Sequence, residues 1–143
     1  MIGTMIVRLL RNHKGAGAVE FALLAPTFLM FLFLLFDGGR MIFTKQSLNE
    51  LATATARCMA TKQTACADIS STQGWAVSRG LTRNNLQLAN SNVAIDTAAT
   101  CGGVSNMIQA TITMPWKKGA MMLLPQSVAP NSLTATACFP TIT

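Results

Sequence analysis

The sequence predicts an α+β protein, with a long amino-terminal transmembrane helix continuing into a small head built on a three-stranded antiparallel sheet. Three observations carry that prediction. Residues 19–36 read VEFALLAPTFLMFLFLLF, with Glu20 the sole ionisable group. Apolar side chains then keep a helical spacing almost to Gln63. Beyond that, three short runs alternate apolar and polar residues and are separated by turn-forming residues.

The apolar run is long enough to cross a bilayer. At about 1.5 Å per residue it spans roughly 27 Å, against a hydrocarbon core of about 30 Å. Arg8, Arg11 and Lys14 precede it without an acid, so half of the net charge of +6 lies there. Basic residues flank the cytoplasmic end of a span, which puts the amino terminus in the cytoplasm and everything after Phe36 outside. No second apolar helix is present to bury this one in a soluble core. A cleaved secretory signal would need a small-residue site, whereas Asp37-Gly38-Gly39-Arg40 follows here. The segment is expected to remain as an anchor.

The helix should run on, over roughly 17–62. Met41, Leu48, Leu51, Thr55, Cys58 and Met59 form its apolar stripe, while Lys45, Asn49, Glu50 and Arg57 fall elsewhere on the wheel. Gly38-Gly39 is its one weak point, and Asp37 and Arg40, three apart, are placed to pair at the membrane surface. In the head, Ser70-Ser71-Thr72 offers an N-cap for a short helix over 72–81, with Trp75 and Arg79 at i, i+4. The alternating runs are Val93, Ile95, Thr97, then Ile108, Ala110, Ile112, Met114, then Leu133, Ala135, Ala137. A sheet packed on the long helix is the economical arrangement.

Cys58, Cys66, Cys101 and Cys138 all fall beyond the span, in an oxidising compartment that favours two disulfides. Of the three possible pairings, Cys58–Cys66 with Cys101–Cys138 is preferred. No C-x-x-C or Cys/His cluster suggests zinc, and no metal or other cofactor is expected. Scattered basic residues beyond Lys14 argue against nucleic-acid binding. Catalysis is not expected either. His13 is the only histidine and lies in the basic head, and Glu20, Asp37, Glu50, Asp68 and Asp96 show no paired spacing. Gly102-Gly103 lacks the Lys and the helix of a phosphate-binding loop.

The junction at residue 15 is the most specific feature. Lys14-Gly15-Ala16-Gly17-Ala18-Val19-Glu20-Phe21 ends a positive leader in Gly, with Glu five residues later, and runs straight into the apolar helix. This resembles the processing site of type IV prepilins, in which a membrane-embedded aspartyl peptidase cuts after the Gly. Glu20-Phe21-Ala22-Leu23-Leu24-Ala25-Pro26, the apolar run and Asp37-Gly38-Gly39-Arg40 are similar to the amino-terminal signature of the TadE-like minor pilins, or pseudopilins. These proteins, TadE and TadF among them, belong to the tight-adherence (Tad/Flp) type IV pilus. The resemblance covers about residues 11–45. It implies a pilin-like fold and cleavage by prepilin peptidase after Gly15. It further implies partners among the other pilus subunits and the assembly machinery, and a role in pilus assembly, adhesion or the filament tip. The protein would lie in the bacterial inner membrane with its head in the periplasm, and outside the cell once built into a pilus. The chain then divides into a leader (1–15), a membrane helix (16–36), an amphipathic continuation (37–63) and a disulfide-linked head (64–143). The alternative is an uncleaved single-pass protein whose periplasmic head binds a ligand or an envelope component.

Elementary energetics bear on the same residues. A carboxylate deep in a span costs about 2.5–3.5 kcal/mol on insertion scales, so Glu20 calls for a partner. Cleavage after Gly15 would supply one, the α-ammonium of Ala16, in the same chain or a neighbouring subunit; otherwise Glu20 snorkels at headgroup depth. Pro26 removes a backbone donor and should kink or loosen the helix. Finally, residues 114–125 (MPWKKGAMMLLP) join two strands. Met121, Met122, Leu123 and Leu124 are expected to pack inward. Trp116, Lys117 and Lys118 are expected to stay accessible, for a neighbouring subunit or the anionic membrane surface.

Overall fold

The structure is a computed structural model that describes residues 16–141. Arg8, Arg11, His13, Lys14 and Gly15 lie outside the described residues. The elements are α1 (Ala16–Ala60), a 3-10 turn (Thr64–Cys66), α2 (Ile69–Asn84), a second 3-10 turn (Asn90–Asn92), β1 (Val93–Cys101), β2 (Val104–Pro115), a third 3-10 turn (Ala120–Leu123) and β3 (Ser132–Pro140).

The 45 residues of α1 make one helix through Pro26 and through Gly38-Gly39, roughly 67 Å long. Its two halves face different surroundings. None of its most apolar stretch is buried by the protein, and Phe21, Phe28, Phe31, Phe33 and Phe36 are all exposed. This half is a candidate membrane span. The outer half instead buries Leu48, Leu51, Ala52, Thr55, Ala56, Cys58 and Ala60. Leu48, Leu51, Thr55 and Cys58 were expected there; Met41 and Met59 are only half-buried. Alanines at 52, 56 and 60 take much of the stripe, because small side chains let the head approach the helix closely. Buried Thr55 keeps its hydroxyl satisfied by donating to the Leu51 carbonyl at 2.7 Å.

α2 begins earlier than the sequence suggests. Its N-cap is Asp68, not the Ser70–Thr72 group: the Asp68 carboxylate accepts the Ser71 N–H at 2.7 Å, and the Ser71 hydroxyl accepts the Asp68 N–H at 3.1 Å. This reciprocal capping box satisfies donors that a helix start leaves free. The helix ends at Asn85 in the left-handed region, whose N–H returns to Gly80 and Leu81. At Gly80 a Cβ would lie 3.0 Å from Leu51 Cδ2 and 3.2 Å from Leu88 Cδ1, so the α1–α2 contact leaves little room for a side chain.

The sheet has strand order β1-β2-β3, antiparallel throughout. Gly102 and Gly103, both at positive φ, form the two-residue β1–β2 turn. Register aligns the inward residues, with Val93 opposite Ile112, Ile112 opposite Ala135, and Met114 opposite Leu133. These side chains meet Leu48, Leu51, Ala52, Ala76 and Leu86 in one core. The outward face carries Thr111–Thr136 and Thr113–Thr134 hydroxyl pairs, each at 3.2 Å. One expected alternation breaks. Thr97 is exposed and Ala99 is buried, because the register shifts between Asp96 and Ala99. The Asp96 carboxylate accepts the Ala98 N–H at 2.9 Å, a local bond that competes with the ladder.

Leu48, fully buried at the centre of the core, should cost about 3 kcal/mol when changed to Ala, read from thermal unfolding in detergent micelles. The Asp68 carboxyl is held below its ordinary value, first by the Ser71 N–H and then by the Ser70 and Ser71 hydroxyls. A lowered folded-state value means that the charged cap stabilises fully above the unfolded value of about 3.9 and is lost as pH falls through the folded value. The difference in melting temperature between wild type and Asp68→Asn should therefore shrink on acidification from about pH 5 to pH 2.

Candidate functional site along the helix and its returning loop

Among the described residues, no element covers the amino-terminal part of α1. Ala16 opens the helix, and Glu20 and Phe21 are exposed within the next two turns. Gly17 has no neighbouring atoms within 4 Å of where a Cβ would lie. The Glu20 side chain is thus accessible to a second helix, while Gly15 lies outside the described residues. Pro26 sits inside α1, and helix is assigned on both sides of it.

At the other end of the apolar half, the head reaches back to the helix. The loop between β2 and β3 closes where the Trp116 N–H donates to Asn131 O at 2.8 Å. It then folds on itself through Met122 to Gly119 (3.1 Å), Leu124 to Met121 (3.0 Å) and Ala129 to Pro125 (3.0 Å). The Met121 N–H donates to the Asp37 carboxylate at 3.3 Å. Gly119 lies so close to that carboxylate that a Cβ would come within 3.0 Å of its carbon and nearer still to its oxygens. One turn along, Arg40 stands over the Trp116 ring at 5.8 Å. Asp37 and Arg40 therefore do not pair with each other as the sequence suggests; each turns to the loop. Lys45 adds a third tie by donating to the Thr134 carbonyl.

The loop residues divide differently from the expectation. Met121 is buried and Leu124 half-buried, but Met122 is 78% exposed, and the Leu123 side chain lies outside the described residues. Trp116 is not a free surface residue: it is half-buried against the core, and its indole Nε1 is enclosed without a hydrogen-bond partner among the described residues. Lys117 is exposed and Lys118 half-buried. Short 3-10 geometry explains the split at 121–122, since consecutive residues there cannot face the same way.

Farther out, α1 and α2 enclose a groove of about 690 Å³ lined by Asn49, Glu50, Arg57, Trp75, Arg79 and Arg83, among others. Arg79 covers the Trp75 ring at 4.9 Å, the i, i+4 pair expected on α2. Sequence reasoning missed this groove, because Arg57 and Arg83 are brought together only by the helix crossing. Two disulfides brace the head. Cys58–Cys66 holds the end of α1 to the following 3-10 turn, and Cys101–Cys138 joins β1 to β3 over the end of the sheet. The Gln109 side chain lies between these strands, 3.8 Å from Cys101 Sγ and 3.7 Å from Cys138 Sγ. Among the described residues no three His, Cys, Asp or Glu side chains gather as metal ligands would.

The chain thus combines an apolar helix exposed along one half, a candidate membrane span, with a small disulfide-braced head on the other. Residues 15–57 match the family model of TadE-like proteins, which takes in the whole apolar half of α1 and most of its outer half. No curated protein and no solved structure matches the chain.

The contact between helix and loop generates a test. Asp37→Ala removes the acceptor of the Met121 N–H, a bond worth about 1 kcal/mol. Hydrogen exchange at the Met121 amide should rise about fivefold, while amides in β2 stay protected.

Proposed function

We propose that the protein is a minor pilin (pseudopilin) of a Tad-type type IV pilus, cut by prepilin peptidase after Gly15 and required for pilus assembly. The observation that carries this reading is the coincidence of the TadE-like match with the uncovered half of α1. A helix that leaves Glu20 and a row of phenylalanines exposed suits burial first in lipid and then among the helices of other subunits. In that environment the new α-ammonium of Ala16 neutralises Glu20 of its own chain or a neighbour's, which sets one helix against the next. The amino terminus is cytoplasmic and the head periplasmic, where its cysteines are oxidised. Adhesion, or a place at the filament tip, falls to the head.

The role is non-catalytic in this reading. Its carboxylates stand apart: Glu20 and Asp37 lie on the inner half of α1, Glu50 on the outer half, Asp68 at a helix cap and Asp96 in β1. The partners are the prepilin peptidase, the other pilus subunits, the assembly machinery and the inner membrane.

Processing provides the test. Mass spectrometry of the membrane-bound protein should find a chain beginning at Ala16, and Gly15→Leu should leave the leader attached and abolish assembly. Met1 retained in cells that build a working pilus would overturn the reading and favour the uncleaved anchor with a binding head.

A further inference from the structure

We infer that the loop at residues 117–122 is a membrane-surface foot: it rests on the outer leaflet beside its own helix, with Met122 inserted at the headgroup–acyl boundary and Lys117 above it among anionic headgroups. The inference rests on reading the apolar half of α1 as a membrane span.

Four observations place the loop there. The Met121 N–H is bound to Asp37, which directly follows Phe36, the last residue of the apolar run, so the loop is fixed level with the end of the span. Gly119 allows that approach, since any side chain at this position would push against the Asp37 carboxylate. Met122, adjacent to the anchored amide, is 78% exposed; no part of the described chain covers it. The exposed apolar surface of α1 also does not stop at Phe36: Ile42 and Phe43 are 65% and 73% exposed. Phe43 lies six positions along the helix from Asp37, so that surface reaches roughly 9 Å farther out than the residue that holds the loop.

These features indicate one occupant. A loop held level with the exposed apolar band of its own helix meets the same medium that covers that band. Methionine suits the boundary, being flexible and apolar. Lys117 and Lys118 supply the positive charge that an anionic leaflet attracts, with their stems lying along the apolar surface. The Trp116 ring, clamped by Arg40 and the core, gives the loop a rigid root.

The test uses the full-length protein in phosphatidylcholine/phosphatidylglycerol vesicles. All four native cysteines are in disulfides, so a single introduced cysteine can be spin-labelled selectively. Labels go at Met122→Cys, at Leu29→Cys in the middle of the span, and at Ala94→Cys on the exposed side of β1. Accessibility to oxygen and to a water-soluble nickel chelate then gives the depth of each. Position 29 should be deep, position 122 at the boundary, and position 94 fully aqueous. Adding Gly119→Leu, which displaces the contact with Asp37, should raise nickel accessibility at position 122 at least twofold, and so should Lys117→Glu with Lys118→Glu. A label at 122 as aqueous as that at 94, with 29 still deep, overturns the foot and leaves the span intact. A label at 29 that is not in lipid overturns the span and the foot with it. Depth at 122 unchanged by either set of substitutions overturns the roles given to the Asp37 contact and to the lysines.

Discussion

One helix is left uncovered over its inner half and packed on the head over its outer half, and the rest of the structure depends on that constraint. In hydrocarbon every backbone polar group has to be satisfied within its own segment, so a spanning segment would be helical whatever its side chains prefer, and the inner half of α1 has that form. Outside, helix persists only where a face is buried. The change falls at Gly38-Gly39, where each glycine costs about 1 kcal/mol relative to alanine in a helix. The contacts on either side of that pair, Asp37 with the Met121 N–H and Arg40 with the Trp116 ring, hold the backbone where, beyond Pro26, its own propensity is weakest. The loop between β2 and β3 is therefore a splint on the helix as well as a connection in the sheet.

The head is small and its core is made of modest side chains: Ala52, Ala76 and Ala135 stand beside Leu48, Leu51, Val93, Ile112 and Leu133. A core of this kind buries limited area per residue, and small domains of this size commonly need covalent help. The two disulfides supply it at separations of 8 and 37 residues, worth about 2.5 and about 4 kcal/mol in the chain-entropy model. Their positions are complementary. One fastens the outer end of α1, where the helix would fray, and the other fastens the end of the sheet farthest from the loop that grips Asp37.

Much of this was legible in the residues, for identifiable reasons. The apolar run, the alternating strands and the cysteine count are patterns of residue type along one element, and they translate directly into span, sheet and bridges. The misreadings came where two signals competed or where contact required a second element. Ser70–Thr72 resembles a cap, yet Asp68 wins because a carboxylate accepts the Ser71 N–H more strongly than a hydroxyl does. Asp37 and Arg40 look like a pair because they are three residues apart, but the loop that claims each of them lies some eighty residues away in the chain. Alanines at 52, 56 and 60 carry almost no hydrophobic signal, although the head buries all three. Within the loop, Met121 and Met122 are identical in type and opposite in burial, a distinction made only by the 3-10 turn.

Geometry along α1 also separates the molecule's two charged surfaces. Asp37, which fixes the loop, and Leu51, which lines the groove where α2 crosses at Gly80, are fourteen residues apart, so the middle of the groove stands roughly 20 Å farther along the axis. The Debye length at physiological ionic strength is about 8 Å. With the loop at a membrane surface, the field of the headgroups has decayed over about two such lengths at the level of Leu51, where Arg79 lies, and over more at Arg57. The lysines of the loop and the arginines of the groove therefore answer to different environments. A charge substitution in one perturbs the other's electrostatics only weakly, because the rigid helix between them transmits position while salt screens the potential.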